Sequence, residues 1–401
     1  MNLKAGFPFS LVKNGLVTNY PKLGKNIRTD VIIMGGGISG ALNAYYLIKN
    51  GFECTVVDAR TIGLGSTCAS SSLLQYEIDT PLHKLTGMVG ETNAVKAYSL
   101  CKEAIDKLFA ISDKINFADM QKKKSLYFAA IKKDVADLKR EFLIRKQNGF
   151  RVQYWEKDEV LKKMGIVAPG AILSEDAGQT DAYMLTHALH AYNIKKGLRV
   201  FDRTNIIRIH HNKKNVELIT SEGMKIEAKK MIYATGYETV NYIDKHIVQL
   251  NSTYVTISEP LDHRSPFWKD EMLLWNTADP YLYMRTTPDN RIIVGGRDEK
   301  FISPGKRDKL IPRKEKKLVT DFNKIFPDIN FIPEFSWTGV FGSAKDGLPF
   351  IGPYKNLSNS YFALGFGGNG ITFSLIAAEI ITDLLLEKKN TSASIFSFGR
   401  L

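Results

Sequence analysis

The chain has 401 residues, 44% hydrophobic and 24% charged, close to globular averages; this excludes a disordered or fibrous polymer and leaves room for two domains. The net charge is +13, yet the lysines fall in short scattered clusters such as Lys122 to Lys124, so a nucleic-acid stripe is not indicated, while peripheral contact with an anionic membrane stays open. Three cysteines without CxxC pairing (Cys54, Cys68, Cys101) exclude a disulfide framework and a four-cysteine zinc site, and with no long apolar run or apolar leader they predict an unexported, cytoplasmic chain.

Residues 30–34, Asp-Val-Ile-Ile-Met, form a short β-branched run ending in glycines, the pattern of a strand buried on both faces. Residues 38–49 repeat apolar side chains at helical spacing and stop at Asn50-Gly51, and residues 54–57 supply a second strand ending at Asp58. This is a β-α-β unit. Residues 61–72 are too rich in glycine and serine for the interior of an element and read as a binding loop.

Helical patterns follow at residues 81–112 and 132–148, with a strand near 125–131, and a further helix at 181–196 closes at Gly197. Strands are predicted at 199–201, 206–211 and 216–220, and residues 230–236 form an apolar strand breaking at Ala234-Thr235-Gly236. Residues 247–300 are strand-rich, the turn Thr287-Pro288-Asp289-Asn290 joining the last two strands as a hairpin. The chain then gives a strand at 361–364, a glycine loop at 365–370 and an apolar helix at 371–386.

In Gly35-x-Gly37-x-x-Gly40 the first glycine permits a tight turn, the second lets backbone approach a pyrophosphate, and the third lets the helix pack on the strand. The helix amino terminus then offers N–H groups and a positive dipole end to the anion. Asp58, at the end of the next strand, is suited to accept from ribose hydroxyls. The Ala-Thr-Gly strand end and Gly365-Phe366-Gly367-Gly368-Asn369-Gly370, which suits a flat ring, point to FAD rather than NAD.

The candidate cofactor contacts are Gly35, Gly37, Ile38, Ser39 and Gly40 at the turn, Asp58, Ala59 and Arg60 after the second strand, and Ser66 and Thr67 in the small-residue loop. Ala234 and Gly236 join them, as do Gly342, Gly367, Gly368, Asn369, Gly370, Ile371 and Thr372 toward the carboxy terminus.

The order of GGGISG, ATG, KDGLPFIGP and GFGGNG resembles the D-amino-acid oxidase superfamily, particularly its glycine oxidase, sarcosine oxidase and γ-glutamylputrescine oxidase branch, over about residues 30–385. The resemblance implies an α/β fold: a Rossmann-type FAD-binding domain with an interleaved α+β substrate domain built on a mostly antiparallel sheet. Residues 1–82, 176–244 and 336–401 would form the first, and 83–175 and 245–335 the second. It also implies oxidation of a C–N bond in a primary or secondary amine or amino acid, with hydride transfer to flavin N5 and reoxidation by O2 or another acceptor.

Two departures qualify that likeness. Where amino-acid-oxidising relatives show Gly-Leu-Arg, with the arginine pairing a substrate carboxylate, this chain has Gly339-Val340-Phe341. In the region just before Asp346, where covalently flavinylated relatives carry a cysteine, this chain has none, and Asn369 replaces a common histidine, so FAD is expected to be non-covalent. The candidate catalytic residues are Tyr254 and Tyr283 as aromatic walls, Arg285 as a substitute anchor and Lys345 near the flavin edge. Two alternatives stay open: a hydroxy-acid or polyol-phosphate dehydrogenase passing electrons to quinone, and a tRNA-associated or structural FAD-binding protein. The seven histidines have no metal-ligand spacing.

Overall fold

The computed structural model describes residues 1–262 and 267–400. Their strands form two sheets. The first is built on Ile27–Met34, whose residues Val31 to Met34 are 5% exposed or less, as a strand covered on both faces requires. Parallel neighbours are Cys54–Val57 and then Arg199–Phe201 on one side, and Lys225–Tyr233 and then Ser360–Leu364 on the other. Antiparallel strands extend the side beyond Lys225–Tyr233: Phe350–Pro353 pairs with Ser360–Leu364, and the meander Ile206–His211 and Val216–Thr220 pairs with the first half of Lys225–Tyr233, while Arg199–Phe201 forms the opposite edge.

Helices Ile38–Lys49, Ala182–Ile194 and Gly370–Leu385 share one apolar core with this sheet. The first runs as predicted from its glycine turn to Lys49. Among the described residues no helix is long and apolar enough to cross a membrane.

The second sheet runs in the order Lys4–Gly6, Pro333–Ala344, Val248–Ser258, Ile292–Glu299, Tyr283–Thr286, Leu273–Asn276, Met120–Phe128, Gly170–Thr180 and Leu73–Gln75. Val152–Glu156 adds to Gly170–Thr180. Every pairing is antiparallel except that of Leu273–Asn276 with Met120–Phe128, so the sheet is mostly antiparallel, as expected. Helix Ile311–Ile325 covers its outer face with Leu318 and Phe322.

Packing does not follow the expected boundaries throughout. Lys4–Gly6, Leu73–Gln75 and most of Pro333–Ala344 fall in segments assigned to the nucleotide domain, yet all three pair into the second sheet. Helix Glu91–Ile115, assigned to the second domain, packs on the nucleotide side instead. Its buried stripe of Ala94, Ala97, Cys101 and Ala104 is small enough to let the carboxy-terminal helix approach closely.

Gly170–Thr180 was not legible as a strand because its polar residues interrupt any apolar alternation. Those residues are satisfied locally: Ser174 donates to Glu77 at 2.7 Å, and Gln179 donates to Gln121 at 2.9 Å. Glu77 belongs to a buried charge cluster. Arg145 donates to Glu141 at 2.6 Å and to Glu77 at 3.3 Å, its guanidinium lying between Tyr76 and Tyr98. Glu141 in turn accepts from the backbone N–H groups of Leu82 and His83.

Removing the cation would strand two buried carboxylates. Arg145→Met is therefore expected to destabilise the chain by about 3–5 kcal/mol in urea unfolding. A loss below about 1 kcal/mol would show that the cluster does not tie these segments together.

Candidate cofactor and active site

The site is assembled at the carboxyl ends of the parallel strands, where a crevice opens between the two sheets. Its cavity of about 500 Å³ is in the range of ligand sites. The Gly35 to Gly40 turn forms one wall, and the three glycines are required by what surrounds them. Gly35 has φ +110°, and a side chain there would strike the carbonyl of Ala234, brought alongside by the parallel pairing of Met34 with Tyr233. A side chain at Gly40 would meet the Gly35 carbonyl, and one at Gly37 would meet the Thr67 hydroxyl. That hydroxyl accepts the Ile38 N–H at 3.1 Å, at the first residue of the helix.

The Gly36 peptide is held from both sides. Its N–H donates to Asp58 Oδ2 at 2.7 Å, and its carbonyl accepts from His190 Nε2 at 3.0 Å. The other Asp58 oxygen accepts the Arg60 N–H at 2.8 Å. Asp58, expected to meet a ribose, thus also braces the turn, and it offers the cavity only its remaining lone pairs. Burial pushes its carboxyl up from the ordinary value. Arg60 donates through both Nη atoms to Glu238 at 2.8 Å, and Glu238 also pairs with the Met1 amine at 2.6 Å.

Glycines again dominate the opposite end. Gly367 has φ +55°; its N–H donates to the Gly342 carbonyl at 2.9 Å and its carbonyl accepts from Tyr237 at 3.1 Å. The Gly368 N–H donates to Asp79 at 2.9 Å. Asn369 lines the cavity, but its amide donates to the carbonyls of Gln75 and Glu77 at 3.0 and 2.9 Å, so it fastens the loop to the neighbouring wall. These features accommodate FAD: side-chain-free backbone where a pyrophosphate would approach, and a flat glycine floor where a ring would lie.

Of the candidate contacts, Gly35, Gly37, Ile38, Ser39, Asp58, Ala59, Arg60, Ser66 and Thr67 line the cavity, with Ala234, Gly236 and Gly367 to Ile371. Gly40, Gly342 and Thr372 do not. They act one layer behind, Thr372 by donating to the Asn369 carbonyl at 2.9 Å.

Among the catalytic candidates, Tyr283 lines the roof. Tyr254 does not. Its strand alternates, so Thr253 faces the cavity while Tyr254 turns into the apolar core under Leu318 and Phe322, its hydroxyl donating to the Arg307 carbonyl at 3.3 Å. Arg285 is buried behind the serine loop, donating to the Ser71 carbonyl at 2.6 Å and the Thr286 carbonyl at 3.0 Å; burial lowers its pKa to about 10. Its position supports the cavity floor and does not reach the cavity.

Lys345 is exposed on the turn after Pro333–Ala344, away from the cavity. Its neighbour Asp346 instead serves as a buried clamp, accepting from Arg400 at 2.8 and 3.1 Å.

Several cavity residues escaped the sequence reading: Glu77, Asp79, Tyr237, Trp275, Tyr281 and Asp298. Signals existed for some. Glu77-x-Asp79 comes one short strand after the serine loop, and Asp298 comes two residues after Gly295-Gly296. Phe341 lines the cavity, which confirms that an aromatic ring faces it where an arginine was looked for.

A family model described as FAD dependent oxidoreductase matches residues 30–384. The chain is 24% identical to the glycine oxidase of Geobacillus kaustophilus over 388 residues, covering 93% of this chain and 96% of that one. It is 24% identical to the γ-glutamylputrescine oxidoreductase of Escherichia coli over 390 residues, covering 91% and 85%. The crystal structure of the Geobacillus kaustophilus glycine oxidase superposes with a TM-score of 0.78 at 20% identity, covering 93% of this chain and 99% of that one.

Two outcomes follow for this site. Gly35→Val combines backbone strain with a collision against Ala234 and is expected to weaken FAD binding roughly 100-fold or more, read as flavin absorbance retained after gel filtration. Full retention would contradict the role of the turn. Burial lowers both His187 and His190 to about 4, so between about 4 and 6.5 the folded chain binds fewer protons than the unfolded one. Their contribution to stability is complete above pH 6.5 and is lost as the pH falls toward 4. His190→Phe should flatten part of that slope in thermal melts of the FAD-free chain; an unchanged slope would argue that His190 is not buried neutral.

Proposed function

The chain belongs to the DAO family of FAD-dependent oxidoreductases, and from that premise we propose that it oxidises a C–N bond of a primary or secondary amine or amino acid. The observation that carries this reading is the roof of the cavity, where Trp275, Tyr281 and Tyr283 stand with Asp79 and Asp298. Trp275 and Tyr281 meet edge to face at 6.3 Å, and Tyr281 and Tyr283 lie 5.9 Å apart. Such walls exclude water and orient a small aliphatic ligand.

We assign cofactor binding to the eight-stranded sheet and its helices, and substrate binding to the inner face of the ten-stranded sheet. Bound FAD supplies a two-electron acceptor for the hydride that leaves the α-carbon of the amine, to be reoxidised by O2 or another acceptor. The protein's contribution is positional and electrostatic. The Gly35 to Gly40 turn and the Gly365 to Gly370 loop fix the cofactor, and the roof presses the substrate toward it. Asp298 is pushed up to about 6 by burial, so above that pH it is ionised and accepts an N–H from the substrate.

The related glycine oxidase and γ-glutamylputrescine oxidoreductase support this reading by the C–N bonds in their names. Anaerobic mixing of the FAD-loaded protein with a panel of amines and amino acids should bleach the flavin band near ~450 nm with at least one of them. Bleaching only by hydroxy acids or polyol phosphates would replace the proposal with alcohol oxidation.

A further inference from the structure

The two ends of the cavity differ in charge. At the Asp58 end, Arg60 and the Met1 amine are both paired with Glu238. At the roof end, among the described residues, the cavity has no Lys, Arg or His, whereas Asp79 and Asp298 line it with no ion-pair partner among those residues, and Glu77, paired from behind by Arg145, lines it as well.

Backbone geometry accounts for this sign. Tyr283 pairs across the sheet with Gly295, and its ring fills the space a side chain at Gly295 would take, so both positions face the cavity side. Strict alternation would next present residue 297, an arginine, on the same face. Instead Gly296 at φ +136° and Arg297 at φ +58° form a β-bulge, where the register against Val248–Ser258 slips between Ser252 and Tyr254. The extra residue shifts the parity. Arg297 points away to pair with Asp321 at 2.6 and 2.5 Å, and Asp298 lines the cavity in its place.

The wall also holds acceptors without donors. Asp298 Oδ1 and Glu77 Oε2 are buried carboxylate oxygens on cavity-lining residues with no close hydrogen-bond donor among the described residues; the Thr253 hydroxyl beside Asp298 is the one side chain that shares its carboxyl, and Glu77 is only 4% exposed. A ligand rich in N–H donors and positive charge would satisfy them. A carboxylate would meet like charge and, at Phe341, an apolar wall.

Resting on the C–N oxidation reading above, we propose that the substrate is an aliphatic diamine or polyamine without a carboxylate, its ammonium group held by Asp298 and Asp79 among Tyr281, Tyr283 and Trp275. Two nitrogens are needed. The nitrogen whose α-carbon gives up hydride must be uncharged, so a site that selects a cation must hold a different nitrogen of the same molecule. The aromatic faces add cation–π attraction for that group, and Phe341 packs against the methylene chain.

The test uses the FAD-loaded full chain under anaerobic conditions. 1,4-Diaminobutane should bleach the flavin, and 1,4-diguanidinobutane, whose guanidinium groups keep their N–H donors but stay protonated and so give up no hydride, should bind in isothermal titration calorimetry where acetate does not. Asp298→Asn should weaken diguanidinobutane binding and raise the KM for diaminobutane roughly 10-fold. Should that variant not fold, the contrast between diguanidinobutane and acetate on the native protein decides alone. Bleaching by glycine or sarcosine but not by diaminobutane, or acetate binding without diguanidinobutane binding, would overturn this substrate class and leave C–N oxidation standing. Bleaching by glycerol 3-phosphate or a hydroxy acid alone would overturn both.

Discussion

The Gly36 peptide, gripped through its N–H by Asp58 and through its carbonyl by His190, is the constraint on which the rest of the site depends. A tight turn of three glycines carries little conformational preference of its own, because glycine loses the most backbone entropy on ordering. The two hydrogen bonds supply what the turn lacks. One comes from the end of the adjacent strand and the other from a helix on the covering face, so the turn is fixed only when sheet and helix layer have both formed. The neutral state of His190 belongs to the same design, since a charged ring beneath the turn would add a buried cation without a carboxylate partner at that point.

The second sheet reaches back to complete the floor. Trp337 donates from Nε1 to the Ala69 carbonyl at 2.9 Å, and Arg285 donates to the Ser71 carbonyl. Both bonds end on the serine- and glycine-rich loop, a segment with few apolar side chains to pack by itself. The loop is thus shaped by the roof sheet while serving the cofactor side, which explains why neither half of the cavity is a self-contained module. The helix Glu91–Ile115, shared with the nucleotide-side core, makes the same point from the opposite face.

Much of this was legible from residues alone, in proportion to how local the determining physics was. The run from Asp30 to Asp58 announces its strand, turn, helix and strand because each boundary is set by glycine or by apolar periodicity within a few residues. Tyr254 misled because a side chain's facing depends on strand parity, which a short apolar window does not reveal, and Lys345 because the turn that carries it points to solvent while its neighbour Asp346 is buried. Arg285 carried the right charge for an anchor, but its direction is set by a pairing with Ser71, 214 residues away in sequence. Asp298 was hidden by the bulge at Gly296 and Arg297, an event visible only once the register against the neighbouring strand is known. Gly170–Thr180 was lost because its polar residues find their partners across the sheet.

The central claim is that one continuous cavity holds FAD with its pyrophosphate on the glycine turn and its ring beneath an aromatic, acidic roof. A crystal structure of the FAD-bound chain tests it most directly. The account predicts pyrophosphate density against Gly35 to Gly40 and Thr67, with the flavin ring between the Gly365 to Gly370 loop and Tyr283 with Asp298. Density placing the ring away from that roof, or the pyrophosphate off the turn, would contradict it.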